Sequence, residues 1–212
     1  MDLKLTLALI VGKAIATITK LKGTGSTAAP GLYALKIDPS LVKKLSKKIS
    51  NGNIVVCGTN GKTTTSRLAA NILFSQFKII HNREGSNLQR GIASTLIAKT
   101  NILGKIDSKL GLWEIDEAYV PQAIQDLNPK KVVILNLFRD QHERYGEIDT
   151  LRKKREKSLA SLSENSTLVL NADDPGIACL ANNFKGKTLF FGVEDNNFDL
   201  NSTENIADVK SC

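Results

Sequence analysis

From Asn53 onward the chain repeats one pattern: a short apolar run, a few polar residues, then a stretch with helical spacing. "NIVVCG" leads to "KTTTSRLAANILF", "FKIIHN" to "SNLQRGIASTLIAKT", and "LGLWEID" to "VPQAIQDL". "KKVVILNLF" leads to "TLRKKREKSLASL", and the runs "STLVLN" and "KTLFFGV" close the series. Strands that alternate with helices are joined by crossovers, so they pair in parallel, and a parallel sheet has to be covered on both faces. The pattern therefore predicts an α/β fold, a largely parallel sheet with helices on both faces. Ligands of such sheets bind beyond the carboxyl ends of the strands. Four polar segments, 58–65, 114–117, 136–145 and 171–174, are thereby expected at one rim.

The first of these, "GTNGKTTT", follows a strand and opens a helix, as a phosphate-binding loop must. The usual pattern is G-x-x-x-x-G-K-[ST]. Gly61, Lys62 and Thr63 supply its second half, but Val56 stands where the first glycine belongs. The backbone N–H groups of Gly58, Thr59, Asn60, Gly61, Lys62, Thr63 and Thr64, at a helix N-terminus, form an anion site. The Lys62 ammonium adds charge near terminal phosphates, and the Thr63 hydroxyl can ligate Mg²⁺. The expected arrangement is P-loop NTPase-like.

The other segments supply carboxylates and amides. In "WEIDEA", alternation points Glu114 and Asp116 one way and Trp113 and Ile115 the other. Glu114 is the candidate magnesium carboxylate; Asp116 and Glu117 are read as helix caps or substrate contacts. "LNLFRDQHERYG" crowds Asn136, Arg139, Asp140, Gln141, His142 and Arg144 into one loop. "LVLNADDP" brings Asn171, Asp173 and Asp174 to a strand end, where Asn171 could read an adenine edge or simply form an Asx-turn.

A net charge of +8 admits nucleic acid, an anionic membrane surface or a phosphate-rich substrate. The lysine clusters at 43–48 and 152–157 read as solvated helix faces, and aromatics at 5% offer no stacking platform, so nucleic acid is not expected. Three scattered cysteines do not make a disulfide framework, and a reducing, cytoplasmic setting fits them. At the N-terminus, Leu3, Leu7, Ile10, Ala14, Ile18 and Leu21 fall at helical spacing. Asp2 and Lys13 argue against a signal peptide, and the apolar run is too short to span a bilayer. A helix packed on the protein by this stripe is expected, with a membrane-surface helix as the alternative. Residues 23–31, "GTGSTAAPG", read as a linker, and Asp38 as a cap for a helix opening at Pro39. The expected organisation is an N-terminal helix and linker over 1–38 and an ATP-binding domain over 39–212.

Taken together, these stretches resemble the central domain of the Mur ligases, the ATP-dependent amide-forming ligases of peptidoglycan synthesis. "GTNGKTTT" is that family's form of the loop, which lacks the first glycine. "NREGSNLQRGIAS", "WEIDEA", "NLFRDQHERYGEIDT" and "LNADDP", in that order and with "PGLYALKIDPSLVKKL" before them, resemble its MurT branch over essentially the whole chain. The resemblance implies ATP and Mg²⁺, a lipid II-like muropeptide substrate that could bring the protein to the membrane surface, and a GatD-like glutamine amidotransferase partner. The implied reaction amidates the D-glutamate α-carboxylate through an acyl phosphate. It gives Lys62 and Thr63 to phosphate and Mg²⁺, and Glu114 to Mg²⁺. Asn136 and Asp140 fall on the phosphate and second-metal side, and Asn171, with Asp174 beside it, toward the nucleotide. Gln141 replaces the histidine of many relatives, His142 follows one residue later, and Lys153, Lys154 or Lys157 could match the family's carbamylated lysine. The branch continues with a four-cysteine zinc ribbon, of which Cys212 would be the first ligand in a longer chain, and a closing domain, so 1–212 is not expected to turn over alone. A folylpolyglutamate synthase-like ligase and a non-catalytic nucleotide- or partner-binding fragment are the rival readings.

Overall fold

The apolar runs become strands of one six-stranded sheet in a computed structural model that describes residues 2–22, 28–83, 86–136 and 156–194. They are β1 (Asn53–Cys57), β2 (Ile79–His81), β3 (Leu110–Ile115), β4 (Lys131–Ile134), β5 (Thr167–Asn171) and β6 (Lys187–Phe191). Their order is β2-β3-β1-β4-β5-β6, and every pairing is parallel. The helices are α1 (Leu3–Leu21), α2 (Ala29–Ile37), α3 (Leu41–Ser46), α4 (Lys62–Phe74), α5 (Gln89–Lys99) and α6 (Val120–Leu127). Of the helix expected from "TLRKKREKSLASL", residues 156–160 are helical and 150–155 lie outside the described residues.

Alternate residues of a strand serve opposite faces. Val55, Cys57, Trp113, Ile115, Val132 and Ile134 join a large core with α1, α2, α3, α5 and α6. Ile54, Val56, Leu110, Leu112 and Val133 join a small one beneath α4. β1 lies between β3 and β4, so the chain crosses to the other side of β1 after β3. The crevice at that reversal is where a doubly wound sheet takes its ligand.

Four expectations need correction. First, α1 packs by Leu5, Ala8, Leu9 and Gly12, and the stripe chosen from spacing faces outward, with Leu3 76% and Leu21 82% exposed. Small residues decide this. A Cβ on Gly12 would lie 2.8 Å from Ile97 Cδ1 of α5, so only the Ala8–Gly12 side allows so close an approach. Second, helical spacing sets Leu68, Ile72 and Leu73 on one side of α4, yet of these Leu73 alone packs against the core: Leu68 and Ile72 are 60% and 70% exposed, while Ser66 and Ala70 are buried. Third, "APG" of the supposed linker opens α2, with Pro30 in its first turn where a missing N–H costs nothing. Gly31 then touches α5: its N–H donates to Ser94 Oγ at 2.8 Å, and a Cβ there would sit 1.9 Å from the Arg90 carbonyl oxygen.

Fourth, α3 begins at Leu41 rather than at Pro39. Asp38 Oδ1 accepts from the Ser40 N–H and hydroxyl instead of capping the helix directly. Lys44 then joins Asp38 to Asp2, at 2.7 Å from each, and ties α1 to α3.

Candidate functional site

β1 ends at Cys57, and the chain turns at once. Gly58 has φ +150° and Gly61, which caps α4, has φ +79°, both in the region that side chains rarely adopt. A Cβ on Gly58 would also lie 3.0 Å from Leu135 Cβ. Val56, at the position of the missing glycine, is still strand: it is 2% exposed and packs in the core under α4. The loop thus begins two residues later than the usual motif, and Gly58 supplies the tight turn. Lys62 reaches back over it, its Nζ donating to the Gly58 carbonyl and, at 2.9 Å, to that of Thr59.

Glu114 lies on the α4 face of β3, as alternation requires, and is 3% exposed. Its Oε1 accepts a 2.9 Å hydrogen bond from the Thr63 hydroxyl in the first turn of α4. The backbone behind it is held by Asn82, just past β2. Asn82 Nδ2 donates to the Glu114 carbonyl at 2.8 Å, and Oδ1 accepts the Glu114 N–H at 2.9 Å. A hydroxyl, a carboxylate and a helix N-terminus therefore meet beside a loop rich in N–H groups. Groups of these kinds have the chemistry to hold an anion and a hard cation together.

Asn136 closes the other side. Its Oδ1 accepts the Asn60 N–H at 2.7 Å, Nδ2 donates to the Asn60 carbonyl at 3.1 Å, and its own carbonyl accepts the Thr59 N–H at 3.0 Å. Asn136 therefore braces the loop on the end of β4. Asn171 donates through Nδ2 to the Leu135 carbonyl at 3.0 Å and accepts the Asp173 N–H at 2.9 Å, an Asx-turn at the end of β5. Asp174 caps the helical turn Pro175–Ala178, accepting from the N–H groups of Gly176 and Ile177. Asp116 caps the turn Glu117–Tyr119 through the Ala118 N–H. Lys157 is exposed on the helical residues 156–160. Arg139, Asp140, Gln141, His142, Arg144, Lys153, Lys154 and Cys212 lie outside the described residues.

Known proteins match this arrangement. Residues 56–212 match the Mur ligase middle domain. This chain belongs to the Mur ligase family. It is 36% identical over 159 residues to the lipid II isoglutaminyl synthase (glutamine-hydrolyzing) subunit MurT of Staphylococcus aureus, covering 74% of this chain and 35% of that protein. It is 37% identical over 177 residues to the subunit of that name from Streptococcus pneumoniae, covering 82% and 38%. The chain thus spans little more than a third of these relatives' length. The MurF ligase of Thermotoga maritima, solved in complex with ADP, shares the fold with a TM-score of 0.62, at 20% identity over 76% of this chain and 37% of that one. MurF of Acinetobacter baumannii gives 0.60 at 15% identity, over 79% and 35%.

In this Mur ligase domain, sequence reasoning missed Asn82. The only signal was an asparagine directly after a short apolar strand, and what it holds lies 32 positions away. It also missed that Asn136 braces the phosphate loop, a pairing across 76 positions. Asn53, at the opposite end of β1, was missed as well: its Oδ1 accepts the Trp113 indole N–H at 2.8 Å, and Nδ2 donates to the Leu127 carbonyl at 2.8 Å.

Proposed function

We propose that this chain is the ATP-binding unit of a carboxylate–amine ligase that amidates lipid II or a closely related muropeptide. One observation carries the reading: the 2.9 Å Thr63–Glu114 pair beside the Gly58–Gly61 turn at the start of α4. The likeness to subunits named for lipid II isoglutaminyl synthesis and glutamine hydrolysis supports the substrate, and ammonia from a GatD-like glutaminase partner.

Loop N–H groups other than those of Thr59 and Asn60, which Asn136 accepts, are assigned to the phosphates, and Lys62 to the terminal pair. Thr63 and Glu114 would hold Mg²⁺, and the donor set fits it. Magnesium takes one or two carboxylates with phosphates and water rather than an all-protein cage, and among the described residues there is no cluster of three or more acids, histidines or cysteines. When bound, Mg²⁺ would neutralise charge on the β- and γ-phosphates. A substrate carboxylate oxygen attacks the γ-phosphorus and ADP departs, leaving an acyl phosphate. Ammonia then attacks the acyl carbon, phosphate leaves, and the nitrogen sheds a proton. Lys62 and the loop N–H groups offset charge on the transferring group. Asn136 and Asn82 are assigned as positioning residues, for the loop and for Glu114. Asp140 is retained as a candidate on the phosphate side. Asn171 and Asp174 are assigned to the shape of the rim.

Calorimetry with Mg-ATP tests the site. Lys62→Ala should weaken binding by about tenfold or more, the loss of a charge-assisted contact to phosphate. Unchanged affinity would remove Lys62 and its loop from the nucleotide site.

A further inference from the structure

The stripe Leu3, Leu7, Ile10, Ala14, Ile18 and Leu21, set outward by the packing of α1, is apolar along the whole 19-residue helix, about 28 Å. The helix therefore has two apolar faces, one spent on α2 and α5 and one left outside. At 100° per residue, Lys4 and Lys22 border one edge of the outer face and Lys13 and Lys20 the other. Lys13 is anchored on the protein, donating to the Ile97 carbonyl at 2.9 Å, while Lys4, Lys20 and Lys22 are exposed. The neighbouring helices α2, α3 and α5 contain no Asp or Glu, but add Lys36, Lys43, Lys44, Arg90 and Lys99. The acids flanking them are Asp2 and Asp38, and Lys44 pairs with both.

We propose that the outer face of α1 docks the protein onto an anionic lipid surface, with the helix lying in the plane of the interface. Apolar side chains flanked on both edges by lysines, with no unpaired carboxylate on α1, α2, α3 or α5 among the described residues, are what such a surface selects. The leucines and isoleucines enter the acyl boundary, and the lysine stems run along it to the headgroups. Among the described residues no helix is long and apolar enough to cross a membrane, so α1 is assigned to lie on one. The inference rests on α1 alone and is independent of the ligase reading.

Flotation of the purified protein with vesicles tests it, using phosphatidylcholine alone or mixed equally with phosphatidylglycerol. The protein should float with the mixed vesicles, not with phosphatidylcholine alone, and added salt should release it. Leu7→Asp or Ile10→Asp should weaken binding by about tenfold or more. The combined Lys4→Gln, Lys20→Gln and Lys22→Gln variant should lose the preference for the anionic lipid. Leu7 and Ile10 are exposed, so their variants should keep the wild-type melting temperature and Mg-ATP affinity, which separates this result from any failure of the nucleotide site. Absence of flotation with mixed vesicles, or wild-type binding by the aspartate variants, would overturn the proposal. So would a dimer that Leu7→Asp dissociates, since a second copy would then own the face.

Discussion

On one face of the sheet Val55, Cys57, Trp113, Ile115, Val132 and Ile134 join one large core with α1, α2, α3, α5 and α6; on the other, α4 lies over Val56, Leu110 and Leu112. Trp113 and Glu114 are consecutive residues of β3, and the strand sends them to opposite sides. Trp113 enters the thick layer, where its indole N–H is answered by Asn53. Glu114 enters the thin layer, where it meets Thr63. The thick side supplies the burial that offsets chain entropy, which leaves the thin side free to hold a buried acid, a glycine turn and a helix N-terminus. A change on the thick side should cost stability first, and one on the thin side should cost ligand binding first.

The largest test of that contrast is Trp113→Ala. The side chain is fully buried, and its loss also strands Asn53 Oδ1. Denaturant unfolding should show a destabilisation of about 3–5 kcal/mol. A loss below about 1 kcal/mol would mean that the thick layer does not carry the fold.

Its neighbour should behave otherwise. Glu114→Gln keeps an oxygen to accept from Thr63, so stability should change by less than about 1 kcal/mol. Calorimetry should nevertheless show nucleotide binding that no longer depends on Mg²⁺. A large drop in melting temperature with metal dependence intact would make Glu114 a structural residue and break the contrast.

The smallest effect concerns His81, which follows Ile79 onto the thin side. Its two ring nitrogens are buried without a hydrogen-bond partner among the described residues. Burial, and then the charges of Arg83 and Arg67, lower its pKa from the ordinary 6.5. The unfolded chain then binds the proton more readily than the folded one. The contribution of neutral His81 is thus present above pH 6.5 and is lost as pH falls from there through the lowered folded value. His81→Gln should flatten stability against pH in that window. An identical slope in wild type and variant would assign the dependence to other groups.

The sheet, its parallel pairing and the position of the loop were legible because they follow from periodicity, and six apolar runs became six strands. Glu114 was legible because alternation fixed its side. The faces of α1 and α4 were not. Both helices carry apolar residues around much of their circumference, and the choice was made by Ala8, Gly12, Ser66 and Ala70, whose small size lets a helix approach closely. Hydropathy ranks large side chains and is nearly blind to that. Nor could local pattern show Asn82 holding Glu114 or Asn136 holding Asn60, because each amide finds its partner on a strand or loop distant in sequence.

The order β2-β3-β1-β4 also fixes when the site can exist. β1 does not border β2, the strand that follows it in sequence, and the groups that set its loop, Glu114 and Asn136, arrive with β3 and β4. Long-range parallel pairings are the slow steps of folding, since loop closure must precede any reward from contact. During synthesis the glycine turn leaves the ribosome well before either partner strand. The Gly58–Gly61 turn therefore gains its Glu114 and Asn136 contacts only once β3 and β4 have joined β1, which makes those contacts a time stamp for a finished sheet centre.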